Sequence, residues 1–217
     1  AIAGCERTPQ APEEVTTDAD TIQVTSSGLK SNALTDHSAM VQAGIGSNKT
    51  LFFPKGTYLI NKHVIIKGVS NLKIHGEKGT IFTTPLNKIF EVTGNIKNLE
   101  IADIKFVSTR RDEKNDPEGL IFFANYGAND VMDGIKVTGC IFSNPETHAN
   151  GIKLISEGSS SVIKNVIVSH NRFESIGRFG VEFQNHLYKP VVARFRDFEI
   201  SNNYFFDVGT IQSGPAP

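Results

Sequence analysis

Two short segments of the chain share one sequence pattern, and at the same position of that pattern one has a lysine and the other a glutamate. Residues 151–154 and 180–183 each begin with glycine and then alternate apolar with polar residues. An alternation of period two predicts strands, so Lys153 and Glu182 should point outward where their apolar neighbours point inward. A positioned carboxylate can transfer protons, and a histidine can act as a base at neutral pH. The candidate catalytic residues are therefore Lys153, Glu182, His148 and His186.

Two long connections, residues 110–118 and 186–194, flank these segments. Long loops on a rigid scaffold are where binding residues concentrate, so the loops and the strands between them predict an open groove. The candidate substrate-binding residues are Arg178, Asn150, Gln184, Tyr188, Arg110 and Arg111.

The same register predicts that Ile121, in the earlier segment 119–122, is exposed as well. The alternative to a functional site is an ordinary Glu–Lys pair on a solvated sheet face, which would contribute about a few tenths of a kcal/mol. If both cations are exposed, replacing Lys153 and Arg178 together should change stability by less than about 1 kcal/mol.

The first of the two connections is rich in charged residues, which raises the question of a metal. Carboxylates are the ligands that calcium prefers, and four of them lie close together here, namely Asp112, Glu113, Asp116 and Glu118. The glycine-spaced loop of a known calcium site is missing from this stretch. No metal or other cofactor is therefore predicted, and calcium is kept as the alternative.

One strand pattern recurs five times along the chain. Each copy has a turn-forming residue followed by apolar residues at alternate positions, and the copies are residues 71–74, 98–101, 134–137, 165–168 and 197–200. In the last four copies a phenylalanine follows seven residues after the first apolar member, at Phe106, Phe142, Phe173 and Phe205. The glycine-led segments add further strands, so each repeat carries three short strands.

Three strands per repeat of about thirty residues predict a parallel β-helix. The helical patterns of a βαβ fold are missing from residues 69–208, and a β-sandwich would not keep one register over so many copies. Equivalent residues of neighbouring coils should stack at about 4.8 Å. We therefore expect one internal stack of the four phenylalanines, and a second of Leu99, Ile135, Val166 and Phe198.

One turn position is polar in the later coils. Asn171 and Asn203 share this register, and we expect their side chains to hydrogen bond along the helix axis. Cys140 holds the same position one coil earlier, which favours a buried small apolar side chain over a reactive thiol.

The N-terminal part predicts a cap for the first coil. Thr35 or Asp36 can begin a helix within about residues 36–45, and such a helix would cover the open end of a solenoid. This helix start, Asp-x-Ser, and the segment Phe-Phe-Pro-Lys-Gly-Thr-Tyr at residues 52–58 resemble the opening of the pectate-lyase superfamily. The resemblance covers residues 22–208 and implies an all-β, right-handed, single-stranded parallel β-helix with a short N-terminal capping helix.

The superfamily includes polygalacturonases and phage tailspike depolymerases, so the resemblance implies a lyase or glycoside hydrolase acting on uronate-containing or related glycans. Lys153, Arg178 and Arg110 or Arg111 would then attract uronates. The Asn-Thr-Asp, Asp-Asp, Gly-His-Gly and Arg-Ile-Lys elements of polygalacturonases are not found in this sequence, which weakens the hydrolase reading. The alternatives are a non-catalytic glycan-binding or adhesion β-helix and a structural, trimeric shaft, so a monomer and a trimer both stay open.

Charge and composition restrict the other partners. The 22 Lys and Arg residues are balanced by 23 Asp and Glu residues, which leaves no positive excess for nucleic acid or an anionic bilayer. Residues 2–5, Ile-Ala-Gly-Cys, resemble the end of a bacterial lipoprotein signal peptide, with Cys5 as the acylated residue. The alternative is a chance tetrapeptide. An acylated Cys5 would make this a cell-surface lipoprotein, and otherwise we expect a secreted protein, so membrane contact would come only through the anchor.

The sequence divides into two parts. Residues 1–20 combine the lipoprotein-like start with a stretch rich in Pro, Thr and acidic residues, which predicts a disordered tether. Residues 21–217 are the predicted β-helix domain. Residues 209–217 resemble the start of another coil without a capping helix, which indicates truncation at the C-terminus.

Overall fold

The computed structural model describes residues 20–23, 34–111, 118–185 and 194–211, and it describes side chains in the last three of these ranges. Within them the chain forms strands β1–β18 and one helix, α1, numbered in chain order. The strands make three parallel sheets, and each coil contributes one strand to each sheet in turn. The predicted parallel β-helix is confirmed.

Sheet A contains seven strands that follow one another from coil to coil. They are β1 (Asp20–Gln23), β2 (Lys49–Phe53), β5 (Ser70–Gly76), β8 (Ile96–Ala102), β11 (Val131–Thr138), β14 (Val162–Ser169) and β17 (Arg194–Ser201). The five copies of the repeat seen in the sequence all lie in this sheet.

Sheets B and C complete each coil. Sheet B contains β3 (Gly56–Leu59), β6 (Thr80–Thr84), β9 (Lys105–Ser108), β12 (Ile141–Asn144), β15 (Arg172–Ile176) and β18 (Tyr204–Val208). Sheet C contains β4 (Val64–Lys67), β7 (Phe90–Thr93), β10 (Gly119–Asn125), β13 (Asn150–Ser156) and β16 (Val181–Gln184).

The core is a set of stacks of equivalent side chains, as expected. Phe106, Phe142 and Phe173 are fully buried, and their ring centroids are 5.3 and 5.0 Å apart in near-parallel planes. Phe82 continues the same register one coil earlier, with its ring turned edge-on to Phe106. Phe205 stacks on Phe173 with centroids 4.9 Å apart and planes 7° apart.

The last described coil differs from the expectation. Phe205 is 48% exposed and Phe198 is 54% exposed, although both were expected to be buried in their stacks. Both residues pair in register with buried partners, Phe173 and Val166, so they point inward. They are exposed because no further described coil covers the other face of each ring. Ile200 and Val208 are partly exposed for the same reason.

The polar turn follows the expected register. Asn171 donates a hydrogen bond from its side chain to Asn203 Oδ1 over 3.1 Å, and its own Oδ1 accepts from the backbone of Cys140 over 2.9 Å. Burial raises the pKa of the Cys140 thiol to about 12, so the thiol stays protonated at neutral pH. Cys140 is therefore the predicted buried small side chain.

The N-terminal cap is the helix α1 (Ser38–Gly44), within the predicted range. His37 occupies the N-cap position, while the Asp36 carboxylate accepts hydrogen bonds from Ser38 N over 2.9 Å and Ser38 Oγ over 2.5 Å. Val41 is fully buried in the core. Strand β1 also pairs with β2, so a strand extends sheet A at the same end of the β-helix.

The phenylalanine stack can be tested by truncation. Phe173→Ala should lower the free energy of unfolding by about 3–5 kcal/mol, because it leaves a cavity between two rings. Phe205→Ala is the matched control, and its half-exposed ring should cost only about 1 kcal/mol. Urea denaturation measures both values. Equal losses for the two variants would contradict an inward stack that ends at an open coil.

Candidate functional site

On the outward face of sheet C, strand β10 is shifted by one residue from its predicted register with β13. Strand β10 pairs with β13 so that Gly119 lies beside Asn150 and Phe122 beside Lys153. Ile121 therefore points inward and is fully buried, and the expectation that it is exposed is wrong. A shift of one residue moves every side chain of a strand to the opposite face.

Five residues from successive coils form a row across the outward face of sheet C. They are Ile65, Glu91, Phe122, Lys153 and Glu182. A parallel row two residues further along each strand contains Lys67, Thr93, Ala124, Ile155 and Gln184. The fold therefore places Lys153 and Glu182 side by side on neighbouring strands, as the sequence predicted.

Glu182 is the centre of a compact polar group, which we call the Glu182 cluster. Its Oε2 atom accepts hydrogen bonds from Asn150 Nδ2 and an Arg178 guanidinium nitrogen, both over 2.8 Å. Lys153 Nζ lies 3.4 Å from the same oxygen. The Arg178 guanidinium also lies 4.6 Å from the centre of the Phe179 ring. Four of the predicted site residues are thus brought together within the reach of hydrogen bonds, with Glu182 contacting Asn150, Lys153 and Arg178.

Lys153, like Asn150 in this cluster, is almost completely buried. It points away from the core of the β-helix, yet the residue is only 4% exposed, so it does not form the open floor that we predicted. Burial lowers the pKa of the Lys153 ammonium, and the Arg178 guanidinium lowers it further. The Glu182 carboxylate opposes this shift without cancelling it. Lys153 therefore loses its proton more readily than an ordinary lysine.

His148 lies beside the same cluster. The residue is 7% exposed, and burial followed by the positive charge of Arg178 lowers the pKa of its imidazole, against the opposing charge of Glu182. The imidazole is therefore neutral at neutral pH, which is the form that can accept a proton.

The other predicted residues are spread around this cluster. Gln184 is half-buried on the outward face of β16, two residues beyond Glu182. Arg111 is exposed and pairs with Glu146 over 2.5 Å, which joins the start of the first long connection to the loop before His148. Arg110 is half-buried beside it. His186 and Tyr188 lie outside the described residues.

A second charged group on sheet C was not predicted from the sequence, and we call it the Lys88 cluster. Lys88 Nζ contacts Glu91 Oε2 and Glu118 Oε1, each over 2.7 Å. Burial alone would lower the pKa of Lys88, but the two carboxylates raise it by a larger amount. Tyr126 lies close enough for the negative charges of Glu157, Glu118 and Glu91 to add to burial in raising the pKa of its phenol.

An apolar patch separates the two clusters along the axis. Phe122, Ala124 and Ile155 form this patch, and each is at most 6% exposed. Lys88 Nζ lies 5.6 Å from the centre of the Phe122 ring. The outward face of sheet C therefore presents a charged group, an apolar patch and a second charged group in succession.

No group of three or more His, Cys, Asp or Glu residues able to hold a metal ion occurs among the described residues. Glu118, one of the four calcium candidates, forms an ion pair with Lys88. Asp112, Glu113 and Asp116 lie outside the described part of the chain. Within the described ranges, no helix has the length and apolar character needed to cross a membrane.

Comparison with known proteins identifies the family. A family model described as rhamnogalacturonase A/epimerase, pectate lyase-like, matches residues 21–212. The chain belongs to this family. The match confirms the resemblance to the pectate-lyase superfamily that the N-terminal motifs and the repeats indicated. The lipoprotein-like residues 2–5 lie outside both the match and the described residues, and Cys5 among them stays a prediction.

Comparisons with curated proteins and with solved structures find only distant similarity. No curated protein matches the chain. The Agl-KA catalytic domain is 13% identical over 90% of this chain, with a TM-score of 0.44. The protein ORF18 of Geobacillus virus E2 is 11% identical over 86% of this chain, with a TM-score of 0.32. This pectate lyase-like chain spans 49% of the first protein and 61% of the second.

The burial of Lys153 changes the expected effect of its removal. Lys153→Ala should lower the free energy of unfolding by about 3 kcal/mol, because it removes one member of a largely buried ion pair. Lys136→Ala is the control, since its pair with Glu100 is much more exposed and should contribute less than about 0.5 kcal/mol. Urea denaturation compares the two variants. A Lys153 effect as small as that of Lys136 would show that the cluster is solvated.

The lowered pKa of His148 predicts a pH dependence of stability. The folded protein releases the imidazole proton below the ordinary value of 6.5, while the unfolded chain still holds it. The unfolded state then binds more protons, so stability should rise as pH increases from the folded pKa to about 6.5 and level off above it. His148→Gln should flatten this part of the curve of unfolding free energy against pH.

Proposed function

We propose that this protein cleaves uronate-containing polysaccharide at the outward face of sheet C, by a lyase reaction in the Glu182 cluster. The observation that carries the proposal is the contact of Lys153 and the Arg178 guanidinium with one oxygen of Glu182. His148 lies beside them, and burial lowers the pKa values of both Lys153 and His148. Perturbed bases grouped with a charged partner are typical of catalytic sites. Membership of the rhamnogalacturonase A/epimerase, pectate lyase-like family also supports a polysaccharide substrate.

The chemistry assigns each group a separate task. Arg178 has five N–H donors, and the contact with Glu182 leaves others able to bind the carboxylate of a uronate. Neutralising that carboxylate makes the proton on the adjacent carbon easier to remove. His148 takes this proton, the electron pair forms a carbon–carbon double bond, and the bond to the neighbouring sugar oxygen breaks. Water protonates the leaving oxygen, and His148 later returns its proton to solvent.

Glu182 and Lys153 position the cation in this scheme. Glu182 Oε2 accepts from both Asn150 and Arg178, which fixes the direction in which the guanidinium points. Lys153 lies beneath the same oxygen and supplies positive charge from a buried position. The sequence pattern predicts catalytic roles for Lys153 and Glu182, whereas in this scheme they position Arg178, which contacts the substrate.

A hydrolase reaction has less support. Glycoside hydrolases use two carboxyl groups that are about 5–10 Å apart across the scissile bond. In the described part of the site, Glu182 is the one carboxylate among the contacts of its cluster. Glu91 and Glu118 are close together, but the ammonium of Lys88 lies between them and binds both. Neither arrangement leaves a separate acid and base facing one bond.

The second candidate is a non-catalytic glycan-binding protein. The observation in its favour is that one oxygen of Glu182 is already contacted by three donor groups, in a network that needs no substrate to complete it. The lipoprotein-like residues 2–5 suit either candidate, because both would meet polysaccharide outside the cytoplasm. Cys5 is then the proposed site of acylation.

Digestion of polygalacturonate and rhamnogalacturonan tests the lyase proposal. Elimination gives unsaturated products that absorb ultraviolet light and are lighter by one water than the products of hydrolysis, which mass spectrometry resolves. His148→Ala should slow the reaction about 100-fold or more, as expected for loss of a general base. Arg178→Lys should lose activity because an ammonium cannot form the two parallel contacts of a guanidinium.

Lys136→Ala serves as the control and should retain full activity. Circular dichroism should establish that each variant is folded. Products that contain the added water would contradict the lyase reaction. Binding that depends on Arg178 without any cleavage would favour the glycan-binding candidate instead.

A further inference from the structure

Strand β18 presents two aromatic rings on the outward face of sheet B. Tyr204 is 49% exposed and Phe206 is 59% exposed, and they are two residues apart on one strand. Side chains two residues apart lie on the same face of a strand, about 7 Å from each other. The rings therefore lie side by side on the surface.

A charged pair on the neighbouring strand completes this surface. Arg172 and Glu174 of β15 lie beside Tyr204 and Phe206 in register. The Arg172 guanidinium lies 4.7 Å from the centre of the Tyr204 ring and donates to Glu174 Oε1 over 2.7 and 2.8 Å. A surface pocket of about 360 Å³ is lined by these four side chains and Ser175. We call it the β18 pocket.

The exposure of these two rings has a different cause from that of the other exposed aromatic residues nearby. Phe198 and Phe205 point inward and are exposed only at the end of the last described coil. Tyr204 and Phe206 alternate with Phe205 along β18, so they point outward. A further coil stacked on β18 would cover the inward rings but leave these two on the outer surface. Neighbouring exposed aromatic rings on a surface mark a binding site more often than isolated ones.

We propose that the β18 pocket binds a neutral sugar unit of a polysaccharide, separately from the site on sheet C. A pyranose ring has a face of C–H groups that can lie against an aromatic ring, and its rim carries hydroxyl groups. Tyr204 and Phe206 supply the flat apolar surface, while Arg172 and Glu174 supply a donor and an acceptor for hydroxyls. The charges of Arg172 and Glu174 compensate each other, so the pocket has no net charge to attract an anionic or a cationic ligand. It therefore suits an uncharged sugar.

The pocket extends the proposed function without depending on it. Its ligand is recognised by ring stacking and hydroxyl contacts, whereas the site on sheet C is proposed to recognise carboxylates through Arg178. The binding strength of the β18 pocket should therefore be nearly independent of salt, because no net charge is neutralised. Binding of a uronate at Arg178 should weaken as salt increases.

Affinity electrophoresis of the full chain tests the pocket. Native gels would contain galactan, xyloglucan, galactomannan, rhamnogalacturonan or polygalacturonate, each at low and at high salt. At least one of the polymers that contain neutral sugars should retard the protein equally at both salt concentrations. Tyr204→Ala and Phe206→Ala should each weaken the retardation about tenfold, by analogy with aromatic rings that stack on bases. Tyr204→Phe and Phe206→Tyr should retain it, because the rings remain.

Phe198→Ala and Phe205→Ala are the matched controls, since these rings are equally exposed but point inward. They should leave the retardation unchanged. Loss of retardation in these two variants as well would assign binding to the end of the coil and overturn the proposal. No salt-independent retardation by any of the polymers would also overturn it. Arg178→Lys separates the two sites, because it should abolish cleavage and leave retardation through the β18 pocket intact.

Discussion

Parallel pairing of each coil with the next is the constraint on which the rest of this structure depends. Backbone hydrogen bonds fix which residue of one coil lies beside which residue of the next, so the side chains at each position form a row along the axis. Inside the β-helix these rows become the phenylalanine and aliphatic stacks. Outside, the same rule places Glu91, Phe122, Lys153 and Glu182 in one row of sheet C.

The outward row of sheet C shows how a repetitive scaffold can produce a localised site. A row of like charges would repel along the whole axis. In this row acidic, apolar and basic side chains follow one another, so no two like charges are neighbours. Glu182 meets the amine of Lys153 on the neighbouring strand, and Glu91 meets the ammonium of Lys88 from the preceding turn. Phe122 separates the close contacts of the two groups, although the charge of Glu118 still reaches Lys153 and opposes the lowering of its pKa.

The fold and the main pairings of the site could be predicted from the sequence because the repeat is regular. The spacing of phenylalanines gave the core stack, and the positions of Lys153 and Glu182 after their glycines gave their contact. The position of Ile121 could not be predicted in the same way. The shared leading glycine predicts that Gly119 pairs with Gly151, yet the backbone pairs Gly119 with Asn150. One residue of slip exchanges Ile121 and Phe122 between the core and the surface.

The burial of Lys153 and the Lys88 cluster also escaped prediction, for a physical reason. Both depend on side chains from turns and loops, such as Arg178, Lys88 and Glu118, whose directions the strand pattern does not determine. The segment before Phe90 also lacks the leading glycine that marked the later strands.

The open face of the last described coil has a consequence for the order in which the molecule comes apart. Among the described strands, β17 and β18 each pair on one side only, and a strand with one neighbour is held by fewer contacts than a strand with two. Residues just beyond β18 bond back to the turn before Arg178, with Ile211 N donating to Gly177 O over 3.0 Å. When these residues detach, the amide of Ile211 loses its acceptor and should exchange with solvent early, whereas Gly177 N keeps its bond to Asn144 O. A sugar chain that contacts both Arg178 and His148 would hold this turn against the preceding loop. Bound polysaccharide should therefore stabilise this end of the described structure.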